Sequence, residues 1–202
     1  MKKAQRKGSA SGFTLLELVI GAAVMLVVLA MAIPTVQKAM QSFHTAGDVR
    51  GIAAQLALAK MRAAADFTDT RVNFNNFTLS QTTGTYQYQL EVYNSATTSW
   101  AIDQTGGKNS GVQNLSSNTL YGFSTITTPA GTQSPISNSN LIAFNSRGIP
   151  VTGTPPNLTA TGSYAVYLNN GTGQYFAVTV SPSGNIQMWQ MNGTLSTWHQ
   201  FY

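Results

Sequence analysis

The side chain best placed to do chemistry is Glu17, the one charge in an apolar run of 21 residues from Phe13 to Ile33. That run starts directly after Gly12 and stops at Pro34. A charge in hydrocarbon costs at least ~2.5–3.5 kcal/mol on insertion scales, so this carboxylate needs a partner. Other chemistry is hard to assemble. The two histidines, His44 and His199, have no nucleophile motif near them. Zinc needs three or four His, Cys or acidic ligands, and none cluster in the sequence. Asp66 and Asp69 lack the acidic repeat and the glycine of a calcium loop. Gly106–Lys108 lacks the upstream Gly and the following Ser/Thr of a P-loop. These residues predict no enzyme, no cofactor and no metal site.

The element that must position Glu17 is a helix. Twenty-one helical residues rise ~31 Å, the thickness of a bilayer's hydrocarbon core. Met1 to Gly12 holds Lys2, Lys3, Arg6 and Lys7 and no acid, a charge that stays on the cytoplasmic side. A secretory signal has a shorter apolar core, followed by a small-residue cleavage site. Here the small residues Ser9, Ala10, Ser11 and Gly12 come before the apolar run. A cut among them removes the charges and keeps the helix.

A short basic leader followed by G-F-T-L-L-E-L-V-I resembles the class III signal of type IV pilins and type II secretion pseudopilins. The resemblance implies cleavage between Gly12 and Phe13 by a prepilin peptidase, then N-methylation of Phe13. Glu17 becomes the fifth residue of the mature chain, where that family carries its assembly glutamate. Pro34 falls where many members have a helix-loosening proline. Cleavage would create an α-amino cation at Phe13, and a carboxylate four residues on can neutralise it, in the same chain or in a neighbour. The alternative reading is a single-pass anchor with a stray acid that snorkels to the surface.

Of eleven Lys and Arg, four lie in the leader, which leaves seven against six acids in the chain from Phe13. The basic balance therefore belongs to the precursor and argues little for nucleic acid. From Val72 to Tyr202 the charged residues are Glu91, Asp103, Lys108 and Arg147. There is no cysteine, so no disulfide stabilises this region.

After Pro34 the helical period continues through Val36, Met40 and Phe43. It then runs as a narrow stripe of Val49, Ile52, Leu56, Ala59 and Ala63. One helix is predicted from about Phe13 to about Ala65, with this stripe laid on the sheet that follows. Beyond Asp66 the period becomes two. Val72 and Phe74 alternate, then Phe77 and Leu79 on a shifted phase. Tyr86, Tyr88, Leu90 and Val92 form the clearest strand, with Trp100 and Ile102 as its partner. Gln104–Ser117 and Pro129–Asn140 read as loops, with a short strand of Leu120, Phe123 and Ile126 between them. Leu141–Phe144, Tyr164–Leu168, Phe176–Val180 and the stretch from Ile186 read as strands, the last three as a meander turned at N-N-G-T-G and S-P-S-G. The segments LIAFNSRGIP and YFAVTVSPSGNIQMW, with Gly148 and Gly184, resemble the C-terminal signature of the GspH/FimT family of minor pseudopilins. In that family's helix ending an arginine is expected where Lys60 and Arg62 stand to either side.

The fold class expected is α+β: a long N-terminal helix, membrane-embedded in its first half, packed on an antiparallel β-sheet head. The boundaries expected are 1–12 leader, 13–34 membrane and assembly helix, 35–66 amphipathic helix and 67–202 β-rich head. The resemblance implies a minor pilin or pseudopilin that inserts in a bacterial inner membrane with its head in the periplasm. It then enters, or primes, a type IV pilus or type II secretion pseudopilus. Implied partners are the prepilin peptidase, other pilins or pseudopilins, the inner-membrane assembly platform and the lipid bilayer. One alternative is a major pilin that forms the bulk of a fibre. Another is a FimT-like minor pilin that takes up DNA. DNA is the weaker partner, because a head with Arg71, Lys108 and Arg147 has few phosphate contacts, and Trp100, Trp189 and Trp198 serve packing as readily as base stacking.

Overall fold

The computed structural model describes residues 12–74, 86–105, 111–122, 129, 134–135, 141–155, 157–160, 163–192 and 197–201. The first element is one helix, α1 (Leu15–Ala65), of 51 residues. The strands among the described residues are β1 (Thr70–Asn73), β2 (Gln87–Asn94), β3 (Ser99–Ile102), β4 (Val112–Asn114), β5 (Leu120–Tyr121), β6 (Ser134–Pro135), β7 (Leu141–Phe144), β8 (Pro150–Thr154), β9 (Asn157–Ala160), β10 (Tyr164–Asn169), β11 (Gln174–Val180), β12 (Ile186–Asn192) and β13 (Trp198–Phe201). The chain divides into two compact units, Met1–Met40 and Gln41–Tyr202. Up to Ile33 α1 is apolar on every side apart from Glu17, and every described residue of the first unit is exposed.

The second unit holds the rest of α1 and two sheets. One sheet runs β3-β2-β1-β7-β8-β9, with β4 also paired to β2. The other runs β13-β12-β11-β10-β5, with β6 also paired to β10. The architecture is α+β, as the sequence predicts, with the head's strands divided between two sheets rather than gathered in one. All described pairings are antiparallel except β6 with β10, which is parallel.

Val49, Ile52, Leu56, Ala59 and Ala63 are each 0% exposed. Their spacing of three and four puts them on one helical face. They share a single apolar cluster with Val72, Leu90, Ile142 and Phe144 of the first sheet and Val166, Leu168, Phe176, Val178 and Val180 of the second. The stripe thus contributes to a core that both sheets complete. The helix ends where Phe67 turns to φ 51°. The Thr68 amide then donates to the Ala63 carbonyl at 3.2 Å. This six-to-one bond belongs to a Schellman-type stop, usually built on glycine. Here a phenylalanine takes the left-handed position and is 85% exposed.

Val36, Met40 and Phe43 keep the helical period, as expected, and are exposed. Several expectations change. The loop read at Gln104–Ser117 contains β4, which pairs with β2, and Leu115 beside it is buried. Polar composition hid this strand, because it is short and lies against residues distant in sequence. The β8–β9 hairpin was not expected. Pro150 occupies the first strand position, where no ladder donor is needed, and Gly153 has φ 110°. The two-residue β6 falls inside the loop read at Pro129–Asn140. Phe77, Leu79, Phe123 and Ile126 lie outside the described residues.

Candidate functional site

The first unit carries the residues singled out for processing and assembly. Gly12, Phe13 and Thr14 precede α1 and are exposed, Phe13 at 84%. The Glu17 amide donates to Thr14 Oγ1 at 3.3 Å, and the Leu18 amide donates to the Thr14 carbonyl at 3.2 Å. Thr14 is therefore the N-cap, and Glu17 stands three residues on, the spacing of a capping box. Its charge also lies in the first turn, where the helix dipole favours an anion. The sequence Thr14-Leu15-Leu16-Glu17 carries this spacing within the apolar run.

Fourteen large apolar side chains from Phe13 to Ile33 are each more than half exposed. Burying one such side chain is worth ~1.5–3 kcal/mol, so leaving them all in water forgoes tens of kcal/mol. A folded domain is stable by only ~5–15 kcal/mol. This helix therefore needs an apolar surrounding from outside its own chain. By length and composition it can cross a membrane. Pro34 lies inside the helix. It has no N–H to give the Ala30 carbonyl. Beside it, Thr35 Oγ1 donates to the Met31 carbonyl at 3.5 Å.

In the second unit Asp48, Arg62 and Lys60 of α1 tie the helix to the strands and turns. Asp48 on α1 accepts from the Ser116 amide at 3.0 Å, from Ser116 Oγ at 3.0 Å and from Thr119 Oγ1. Arg62 pairs with Asp66 at 3.0 Å and with Asp103 at 3.3 Å. Lys60 Nζ donates to the Gly184 carbonyl at 2.9 Å. Gly184 and Gly148 both have positive φ, 76° and 71°. A Cβ on Gly184 would lie 2.9 Å from the Gly148 carbonyl, and one on Gly148 would lie 3.0 Å from Lys60 Cγ. Two turns, one from each sheet, thus close around one lysine.

A DNA-binding head would use Arg71 as a phosphate contact and Trp100 as a stacking surface. Arg71 Nε instead bonds the carboxylate of Glu91, which is 4% exposed. Asn73 and Gln89 donate to the same carboxylate. The Arg71 guanidinium lies 4.3 Å from the Trp100 ring centre, a cation–π contact. Trp189 and Trp198 pack against buried Ala165, Tyr167 and Ala177, and Trp189 Nε1 donates to Thr179 Oγ1 at 2.9 Å. His44 and His199 are exposed. Among the described residues, no three His or acidic side chains gather to hold a metal.

Burial shifts several groups in this unit. It pushes the Tyr88 hydroxyl up to about 12, helped by the Asp48 charge. Burial raises Tyr167 to about 12, and it raises Tyr121 as well, with Tyr88 and Asp48 adding to the shift. Burial alone would raise Asp103, but bonds from Thr105 and the Arg62 guanidinium outweigh it and hold the carboxyl below its ordinary range. Asp69 is raised by burial, partly offset by the Ser146 amide.

No protein-family model matches this sequence, and no curated protein is similar to it at a significant level. Among solved structures, the minor pseudopilin EpsH from the type 2 secretion system of Vibrio cholerae aligns with a TM-score of 0.47 at 14% identity, covering 72% of this chain and 95% of that one. The likeness is distant in both shape and sequence.

Proposed function

We propose that this chain is a membrane-anchored subunit of a pilin-like filament, a minor pilin or pseudopilin. The observation that carries the reading is the helix before Pro34: apolar all round, exposed over its whole described length, and charged only at Glu17. A lipid bilayer first covers it, and neighbouring subunits' helices cover it in the filament. Prepilin peptidase removes residues 1–12 by cutting between Gly12 and Phe13, and Phe13 is then N-methylated. Glu17 neutralises the new α-amino group, and Pro34 loosens the helix. Residues 13–34 serve as the anchor, 35–66 link it to the head, and 67–202 form a head displayed in the periplasm. The inner-membrane assembly platform draws the subunit into a type II secretion pseudopilus or a type IV pilus.

The C-terminal turns at Gly148 and Gly184 support a minor rather than a bulk subunit, through the resemblance that carries them. DNA uptake gains nothing from Arg71, whose guanidinium is committed to Glu91 and Trp100. The test is the ratio of sheared-filament to membrane-bound protein. Glu17→Ala is expected to lower that ratio at least a hundredfold, since an unpaired cation in hydrocarbon costs several kcal/mol. An unchanged ratio would count against this assembly role.

A further inference from the structure

We infer that Thr14 keeps the Gly12–Phe13 peptide outside the helix and so presents it for cleavage. The inference rests on the processing reading above and adds a positioning residue to it. The helix begins at Leu15, one residue after Thr14, whose hydroxyl and carbonyl receive the amides of Glu17 and Leu18 at 3.3 and 3.2 Å. Phe13, just before it, is 84% exposed and non-helical.

Nothing in the apolar run itself stops the helix from running further back. Leu15, Leu16 and Leu18 are helix formers, Phe13 is compatible with a helix, and surrounding lipid rewards every added internal hydrogen bond. In a helix extended to Gly12, the Gly12 carbonyl would be bonded to the Leu16 amide and wrapped by the first turn. Hydrolysis adds water to that carbonyl carbon. The C–N bond to Phe13 breaks, leaving a carboxylate on Gly12 and an ammonium on Phe13. A hydrolase therefore needs this peptide unwound. A threonine at the N-cap, with its own backbone non-helical, ends the helix two residues short of the scissile bond.

The test uses the full-length precursor in membrane vesicles that also contain prepilin peptidase, and follows the conversion of precursor to mature chain. Thr14→Ser, Thr14→Asn and Thr14→Asp retain an N-cap acceptor. Thr14→Val is closest to threonine in shape but cannot cap, and Thr14→Leu favours helix. Cleavage is expected to follow capping rather than shape. The capping variants should stay within about twofold of wild type, while Val and Leu slow cleavage about fivefold or more, the size of one lost cap. Thr14→Val cut at the wild-type rate, or Thr14→Asn and Thr14→Asp as slow as Thr14→Leu, overturns the inference. A wild-type precursor that stays uncut overturns the processing reading together with it.

Discussion

Lys60 Nζ donates to the carbonyl of Gly184 at 2.9 Å, across 124 residues of sequence. The helix thereby holds the β11–β12 turn, while the stem of the same lysine fills the space left by Gly148 in the β7–β8 turn. Lys60→Met keeps the stem and leaves the Gly184 carbonyl without its charged donor, an expected loss of about 1–2 kcal/mol. Gly184→Ala should cost more, about 2–3 kcal/mol, because it adds left-handed strain to a contact with rigid backbone. Gly148→Ala should fall below it, since its new Cβ meets a flexible stem. Urea unfolding of the detergent-solubilised chain, followed by tryptophan fluorescence, measures all three. Equal effects for the two glycines would contradict this packing.

Two helical glycines should respond to alanine with opposite signs. Around Gly47 nothing lies within 4 Å of a built Cβ. Gly47→Ala should therefore stabilise by about 1 kcal/mol through helix propensity alone. At Gly51 the new Cβ would lie 2.6 Å from the Tyr88 hydroxyl oxygen. Tyr88 is 4% exposed and cannot easily yield. Overpacking costs about 1–3 kcal/mol and should outweigh the propensity gain. Tyr88→Phe in the Gly51→Ala background should recover part of the loss, and a double-mutant cycle measures that coupling.

The tyrosines predict an alkaline limit. With Tyr88 and Tyr167 pushed up to about 12, the unfolded chain loses these protons first as pH rises past ~10. Their contribution to stability is complete below pH ~10 and is lost as pH rises toward 12. The slope for Tyr88 is at most ~1.4 kcal/mol per pH unit, less what water screening removes. Urea midpoints measured from pH 8 to 12 check this, and Tyr88→Phe should flatten the fall.

Much of this architecture was legible because it is local. The stripe from Val49 to Ala63 and the alternation in β10 and β11 each lie within one segment and carry their own period. The division into two sheets was not legible. It depends on β1 pairing with β7, Val72 opposite Ile142, a choice that no local pattern encodes. Glu91 alternates as an outward residue yet is buried, because Arg71, Asn73 and Gln89 satisfy its charge across the strands. At the N-terminus the lone carboxylate was evident from charge, whereas the role of Thr14 as N-cap depends on where the helix begins.

Glu17 also stands at the capping-box position, three residues after the N-cap Thr14, so a local role and its proposed charge role can be separated experimentally. A capping box accepts Gln in place of Glu. Glu17→Gln should therefore keep the start of the helix but lose the partner of the Phe13 cation. Filament entry should then fail as badly as for Glu17→Ala, while Glu17→Asp, charged but shorter, should be milder. Sheared-filament fractions for the three variants decide the matter. A Glu17→Gln subunit that assembles normally would show that assembly does not require the charge.

The most direct test of the whole account is the N-terminus of the protein extracted from membranes of cells with active prepilin peptidase. Intact mass and N-terminal sequencing should show a chain that begins at Phe13 and carries one added N-methyl group. A chain that retains Met1, or one cut after Ile33 so that the apolar helix is lost, would contradict it.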